Sequence, residues 1–208
     1  MTGIYKLYGR PNSGSLAVQV ALEECAVPYE RIWISAEPAD VAQYRTINPT
    51  GKVPALMLPD GTVMFESAAM LIHLAQAYPQ AQLAPPAGTP QHALFLQWMV
   101  YLSANVYESA LRMYYPARYL SRGDADADAV RGQGTTDFCA NLALIGQKLD
   151  PYVLGDRYSI ADVYLYMLAS WYPDGKTALH ARLPVLAAHA RLLAARPALV
   201  KAEADHNP

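Results

Sequence analysis

Apolar residues along the first eighty positions switch between an alternating pattern and a helical one. Ile4–Tyr8 reads as a strand, Gly14–Ala26 as a helix ended before Pro28, and Tyr29–Ile34 as a second strand. A short helix near Ala39–Tyr44 follows. Pro54–Leu58 and Thr62–Phe65 then read as two strands joined through Pro59-Asp60-Gly61, and Ser67–Tyr78 as a helix. The order β-α-β-α-β-β-α predicts a small α+β sandwich over residues 1–78, with an antiparallel hairpin beside a parallel pair. Residues 79–90 are rich in Pro, Ala, Gln and Gly and read as a linker. Beyond them, over residues 91–208, strand signals vanish. Leu94, Trp98, Tyr101 and Leu102, and later Phe138, Leu142, Ile145 and Leu149, recur at helical spacing and predict an all-α part.

Composition narrows the function classes. Of 208 residues 53% are apolar, enough for real cores, while the formal net charge of -2 and the lack of a Lys/Arg-rich run argue against nucleic acid or an anionic membrane as partner. No apolar run has the length of a membrane span and the first ten residues lack a signal-peptide core, so a soluble cytoplasmic protein is expected. Cys25 and Cys139 lie far apart and form neither a C-x-x-C pair nor a zinc framework, and the five histidines are scattered; no metal is expected. Asp124, Asp126 and Asp128, just after Ser121–Gly123, read as a solvated loop leading into a helix.

Four segments carry candidate chemistry. Gly9-Arg10-Pro11-Asn12-Ser13-Gly14-Ser15 links a strand to a helix like a phosphate loop, but the lysine that would reach a phosphate is missing. What remains is Ser13 or Ser15 at a helix N-terminus, either as a plain N-cap or as a hydroxyl beside an anion such as a thiolate. Asn48–Leu56 brings Val53-Pro54 to a strand entry. A trans bond would make Pro54 a simple strand start, whereas a cis bond would turn the Val53 N–H and C=O outward for an extended peptide. Glu66-Ser67 stands where a strand yields to a helix, either as a cap with a solvated neighbour or as a pair that holds an ammonium and a carboxylate, the head of an α-amino acid. Ser159-Ile160-Ala161-Asp162 is a capping-box start and structural. Tyr101, Tyr107, Tyr114, Tyr115, Tyr119 and Trp171 could line an apolar pocket or fill the core.

Taken in order, the Ser-bearing turn, N-P-x-G-x-V-P-A-L, D-G-x-x-x-x-E-S, the linker and S-x-A-D resemble the cytosolic glutathione transferase superfamily over nearly the whole chain. The resemblance implies a thioredoxin-like N-terminal domain, an all-helical C-terminal domain, glutathione as co-substrate and a homodimer. It implies that Val53 pairs through its backbone with the cysteinyl unit, that Pro54 is cis, that Glu66 and Ser67 hold the γ-glutamyl end, and that Lys52 or Thr50 approaches the glycyl carboxylate. Alignment with beta-class sequences puts Gly14 at their cysteine and Gly9 at their tyrosine, so neither reactive group is present. The G-x-P-x-S turn is similar to that of phi-class enzymes, which nominates Ser13 as the catalytic hydroxyl with Ser15 as the alternate. Tyr107, Tyr114 and Trp171 are the implied second-substrate residues.

The implied chemistry is attack of a glutathione thiolate on a small hydrophobic electrophile. Disulfide reduction by glutathione, or ligand binding without catalysis, are the alternatives that the same fold allows. A thiol pKa lowered by about two requires roughly 2.7 kcal/mol of preferential thiolate stabilisation. One charge-assisted hydrogen bond, at roughly 1.5–3 kcal/mol, with a helix N-terminus at about 0.3–1 kcal/mol, supplies that.

Overall fold

A computed structural model describes residues 3–121 and 126–206 of the chain. Gly123 and Asp124 of the aspartate-rich segment lie outside these residues; Asp126 precedes, and Asp128 belongs to, the first turn of a long helix. The chain forms two compact units. One comprises the residues up to Ala87 together with those from Ala194 onward, the other Gly88–Leu193.

The first unit is built on four strands, β1 (Tyr5–Gly9), β2 (Tyr29–Trp33), β3 (Ala55–Met57) and β4 (Val63–Phe65), in the spatial order β2-β1-β3-β4. β1 and β2 are parallel; β3 is antiparallel to β1 and to β4. Helices α1 (Ser15–Glu24) and α2 (Pro38–Tyr44) make the crossovers and α3 (Ser67–Ala77) follows β4, in the order that the sequence predicts. α1 stops where Ala26 takes a left-handed φ of 53° just ahead of Pro28, which cannot continue a helix. Leu7, Leu56, Val18, Leu22, Met70, Leu71 and Leu74 are fully buried and form the core. A second apolar cluster gathers Tyr8, Tyr44 and Ala55 with Ile32, Ile34, Ile47 and Val53. The linker is not a bare spacer, since it carries a short 3-10 turn at Pro79–Ala81 and buries Leu83 completely.

The second unit is helical: α4 (Pro90–Tyr101), a π-helical turn (Leu102–Tyr107), α5 (Glu108–Tyr114), α6 (Ala127–Gly146), α7 (Ile160–Ala169), α8 (Gly175–Arg182) and α9 (Pro184–Ala194). Along α4 and the π-helical turn, His92, Phe95, Met99, Leu102 and Val106 are buried, whereas Leu94 is half exposed. The buried positions recur at ordinary helical spacing one residue further along than Leu94, Trp98 and Tyr101, so the buried face of α4 is rotated by about 100° from the one those residues mark. The end of the chain also departs from the expected 91–208 boundary. The last helix, α10 (Pro197–His206), packs on α1 and belongs to the first unit.

α7 is buried along its whole length. Its start is the predicted capping box, in which the fully buried Asp162 carboxylate accepts the Ser159 N–H (2.8 Å) and, from outside the box, the Val153 N–H (2.8 Å). His189 of α9 stands 3.0 Å from the same carboxylate.

Candidate functional site

The sheet register gathers three of the candidate segments. Tyr8 pairs with Ala55, and Ala55 with Phe65, so the turn after β1, the loop before β3 and the step from β4 into α3 all leave the same end of the sheet. Two helix N-termini, those of α1 and α3, begin at that end. Each brings the positive end of a helix dipole, an environment that favours anions.

The turn after β1 is closely hydrogen bonded. Ser13 Oγ lies 2.8 Å from the Arg10 carbonyl oxygen and 2.9 Å from Ser15 Oγ, which lies 3.0 Å from the same carbonyl. Ser13 is half-buried, whereas Ser15 has no exposed surface. Of the two hydroxyls, only that of Ser13 can meet a ligand without a rearrangement. Arg10, a residue the sequence reading passed over, straps the turn to the neighbouring strand: its Nε donates to the Ile34 carbonyl (2.8 Å) and its Nη2 to the Ser35 carbonyl (2.8 Å). Gly9 is required by packing, because a Cβ there would stand 2.4 Å from Ser15 Oγ.

In the second segment the Val53-Pro54 bond is cis. Among the described residues, no main-chain hydrogen bond engages the Val53 N–H or C=O. The preceding loop is set by Asn48, whose side chain is fully buried. Asn48 Nδ2 donates to the Lys52 carbonyl (2.6 Å), and its Oδ1 accepts from the Thr50 N–H (3.1 Å) and the Thr50 hydroxyl (2.9 Å). Tyr44 Oη donates to the same Lys52 carbonyl at 3.0 Å. The Lys52 side chain is exposed, and so is Thr50, although its hydroxyl is occupied by Asn48.

In the third segment Glu66 is exposed and holds a φ of 73°, on the left-handed side of the backbone map. A non-glycine residue there costs of order 1–3 kcal/mol, a strain that tends to collect at ligand-holding positions. Ser67 opens α3 and is nearly buried.

The aromatic residues nominated for the second substrate lie in the helical unit and meet one another. Tyr107 packs edge-on against Trp171, with ring centroids 5.1 Å apart and planes at 89°, and approaches Tyr164 at 6.5 Å. Tyr114 Oη donates to the Trp171 carbonyl at 2.6 Å. Tyr107 ends the π-helical turn, a distortion frequent at functional sites. Tyr101 serves another purpose, since its hydroxyl donates to Asn141 Oδ1 (2.7 Å) and ties α4 to α6.

Of the two cysteines, Cys25 is buried in the first unit, and burial, followed by the nearby Glu24 carboxylate, pushes its thiol up to about 12. That thiol is protonated at neutral pH and is no nucleophile. Among the described residues no three His, Cys, Asp or Glu side chains gather as a metal site, and no helix is long and apolar enough to cross a membrane.

Comparison with known proteins bears on this arrangement. The family profile described as the glutathione S-transferase N-terminal domain matches residues 15–77. The GST-like protein YncG of Escherichia coli is 30% identical over 174 residues, spanning 81% of this chain and 82% of that protein. The glutathione S-transferase GstA, also from Escherichia coli, is 26% identical over 92% of this chain and 94% of its own length. Among solved structures, a glutathione transferase homologue from Sulfitobacter with bound glutathione superposes with a TM-score of 0.88 at 27% identity, covering 99% of both chains. A sphingomonad glutathione S-transferase complexed with glutathione superposes with a TM-score of 0.82 at 27% identity, over 97% of this chain and 98% of that one.

Proposed function

The chain belongs to the glutathione transferase family, and from that premise we propose that it catalyses attack of the glutathione thiolate on a small hydrophobic electrophile. The observation that carries this reading is the register that delivers Ser13, Val53 and Glu66-Ser67 to one end of a single sheet. Three features at that end match the three parts of the γ-glutamyl-cysteinyl-glycine tripeptide. The open Val53 main chain pairs with the cysteinyl unit, as an added strand pairs with a sheet edge. The Ser67 hydroxyl and the N-terminus of α3 receive the γ-glutamyl carboxylate, while Glu66 receives its ammonium. The exposed Lys52 ammonium takes the glycyl carboxylate.

The sulfur then falls to Ser13. The Ser13 alcohol is far too weakly acidic to stand as an alkoxide base, so the thiol proton leaves to solvent and the Ser13 O–H donates to the thiolate that remains. The dipole of α1 adds to that stabilisation. With no cysteine in the turn after β1, the reacting sulfur is that of glutathione. Tyr107, Tyr114 and Trp171 supply the apolar surface for the electrophile. The functional form is a cytoplasmic homodimer; light scattering that returned the mass of one chain would refute the dimer, and cell fractionation checks the compartment.

The test of the reaction is the thiolate absorbance of bound glutathione followed against pH. The bound thiol titrates well below the free value of about 8.5, and Ser13→Ala cuts turnover of an aryl halide by about ten- to a hundredfold, the worth of one charge-assisted hydrogen bond. A bound thiol that titrates like the free one would sink the transferase reading. Turnover of a glutathione mixed disulfide in place of the aryl halide would point to the reductase alternative.

A further inference from the structure

We propose that Ser15 is a positioning residue that frees the Ser13 proton for the sulfur, an inference that rests on the transferase reading above. It follows from a count of protons in the turn. The Ser15 N–H donates to Ser13 Oγ and the Arg10 N–H to Ser15 Oγ, each at 3.3 Å, so each hydroxyl oxygen already accepts one bond. Two hydroxyl protons are left to serve three close oxygen pairs: Ser13 with the Arg10 carbonyl (2.8 Å), Ser15 with that carbonyl (3.0 Å), and Ser13 with Ser15 (2.9 Å). Each hydroxyl has one proton, so one pair always goes without.

The carbonyl is held in place, because the Arg10 side chain is strapped to Ile34 and Ser35. Among the described residues, the two serine hydroxyls are the donors that reach it. When Ser15 donates to the carbonyl, the Ser13 proton is surplus to the turn and can swing to a thiolate without leaving an acceptor bare. Without the Ser15 hydroxyl, the same swing strips the carbonyl of its donor, and that loss is subtracted from thiolate stabilisation. Ser15 cannot exchange roles with Ser13, because it is fully buried against Gly9. The resemblance makes the two serines alternates for one task; the geometry gives them two different tasks.

A double-mutant cycle on the whole protein tests this, read by the pKa of the bound glutathione thiol and by the KM for glutathione. Ser15→Ala lowers the thiolate fraction near neutral pH by roughly fivefold, the size of one neutral hydrogen bond, and leaves the glutathione KM within about twofold. In a Ser13→Ala background the same substitution moves the thiol pKa no further. Gly9→Ala, which displaces the Ser15 side chain without removing its hydroxyl, reproduces both results and serves as a second probe should Ser15→Ala fold poorly. Equal effects with and without Ser13 would mark Ser15 as merely structural and overturn the inference while Ser13 keeps its role. If Ser13→Ala alone leaves the bound thiol unchanged, the Ser13 assignment falls, and the Ser15 inference falls with it.

Discussion

Asn48, fully buried, holds the loop that leads into Val53. Its amide spans the loop, giving a proton to the Lys52 carbonyl and accepting two from Thr50, so it fixes the chain immediately before Val53. Asn48→Ala would leave the Lys52 carbonyl with only the Tyr44 hydroxyl and would open a buried space. We expect glutathione binding to weaken by about tenfold, in line with the roughly 1–2 kcal/mol lost when a buried amide is removed, while the pKa of bound thiol stays put. Calorimetric titration with glutathione checks this; unchanged affinity would show that the loop holds its shape without Asn48. The contrast with Ser13 explains what was legible in the sequence. Ser13 and the Ser159–Asp162 box act on helix starts a few residues away, and such local chemistry can be read from spacing. Asn48 was visible within its motif, but its work was not, because its partners are set by how the loop folds back. Arg10 was invisible for a stronger reason: it binds carbonyls 24 and 25 residues further along the chain.

At the scale of elements, the strand and helix order of the first unit was readable because α1, α2 and α3 each begin or end at a strong local signal, such as Pro28 or Pro38. The helical unit was harder. Nothing in the residue pattern marks the π-helical turn at Leu102–Tyr107, because the buried residues keep their helical spacing through it. Nor does local pattern say that α10 returns to the first unit. Its tether is a set of long-range pairs: Arg196 with Glu24, Lys201 with Glu23, Asp205 with Arg31 and Gln19.

His206, the last residue of α10, is buried edge-on against Trp33, with ring centroids 4.9 Å apart, and neither ring nitrogen finds a hydrogen-bond partner among the described residues. Burial above all, then the Arg31 guanidinium, lowers its pKa to about 4, with the Asp205 carboxylate opposing. The sign of the pH effect follows. An unfolded chain takes up a proton on this ring near pH 6.5, whereas the folded chain refuses it down to about 4. The stability tied to neutral His206 is therefore intact above pH 6.5 and is lost as the pH falls towards 4. The full loss is on the order of 3 kcal/mol, from a shift of about 2.5 at 1.36 kcal/mol for each pKa step. His206→Phe keeps the ring and removes the titration, so its melting temperature falls less than that of the unmodified protein between pH 6.5 and 4. Asp205 confuses the reading little: although burial opposes, Gln19 and Arg31 hold its carboxyl below the usual range, and its own loss comes at more acid pH. Parallel thermal melts with identical pH slopes would show that the ring is not the acid-sensitive group.

For the molecule as a whole, the proposed tasks divide along the same line as the fold. The first unit carries every group assigned to glutathione, and the second carries the aromatic cluster assigned to the electrophile. Kinetics can test such a division directly, because a residue that contacts only one substrate should change the KM for that substrate alone. Trp171 is the sharpest probe. Its ring packs on Tyr107, and its carbonyl receives the Tyr114 hydroxyl, so the main-chain bond survives a side-chain truncation while the ring surface is lost. Removing an aromatic face of this kind forfeits about 0.5–1.5 kcal/mol of ring contact in addition to the area it buried. Trp171→Ala should accordingly raise the KM for an aryl electrophile by about tenfold and depress kcat/KM for it in the same proportion, while the glutathione KM and the pKa of the bound thiol stay unchanged. An aliphatic electrophile of similar size should feel the change less. If the glutathione KM rises instead, the cluster supports the first unit, and the electrophile must be held by other residues.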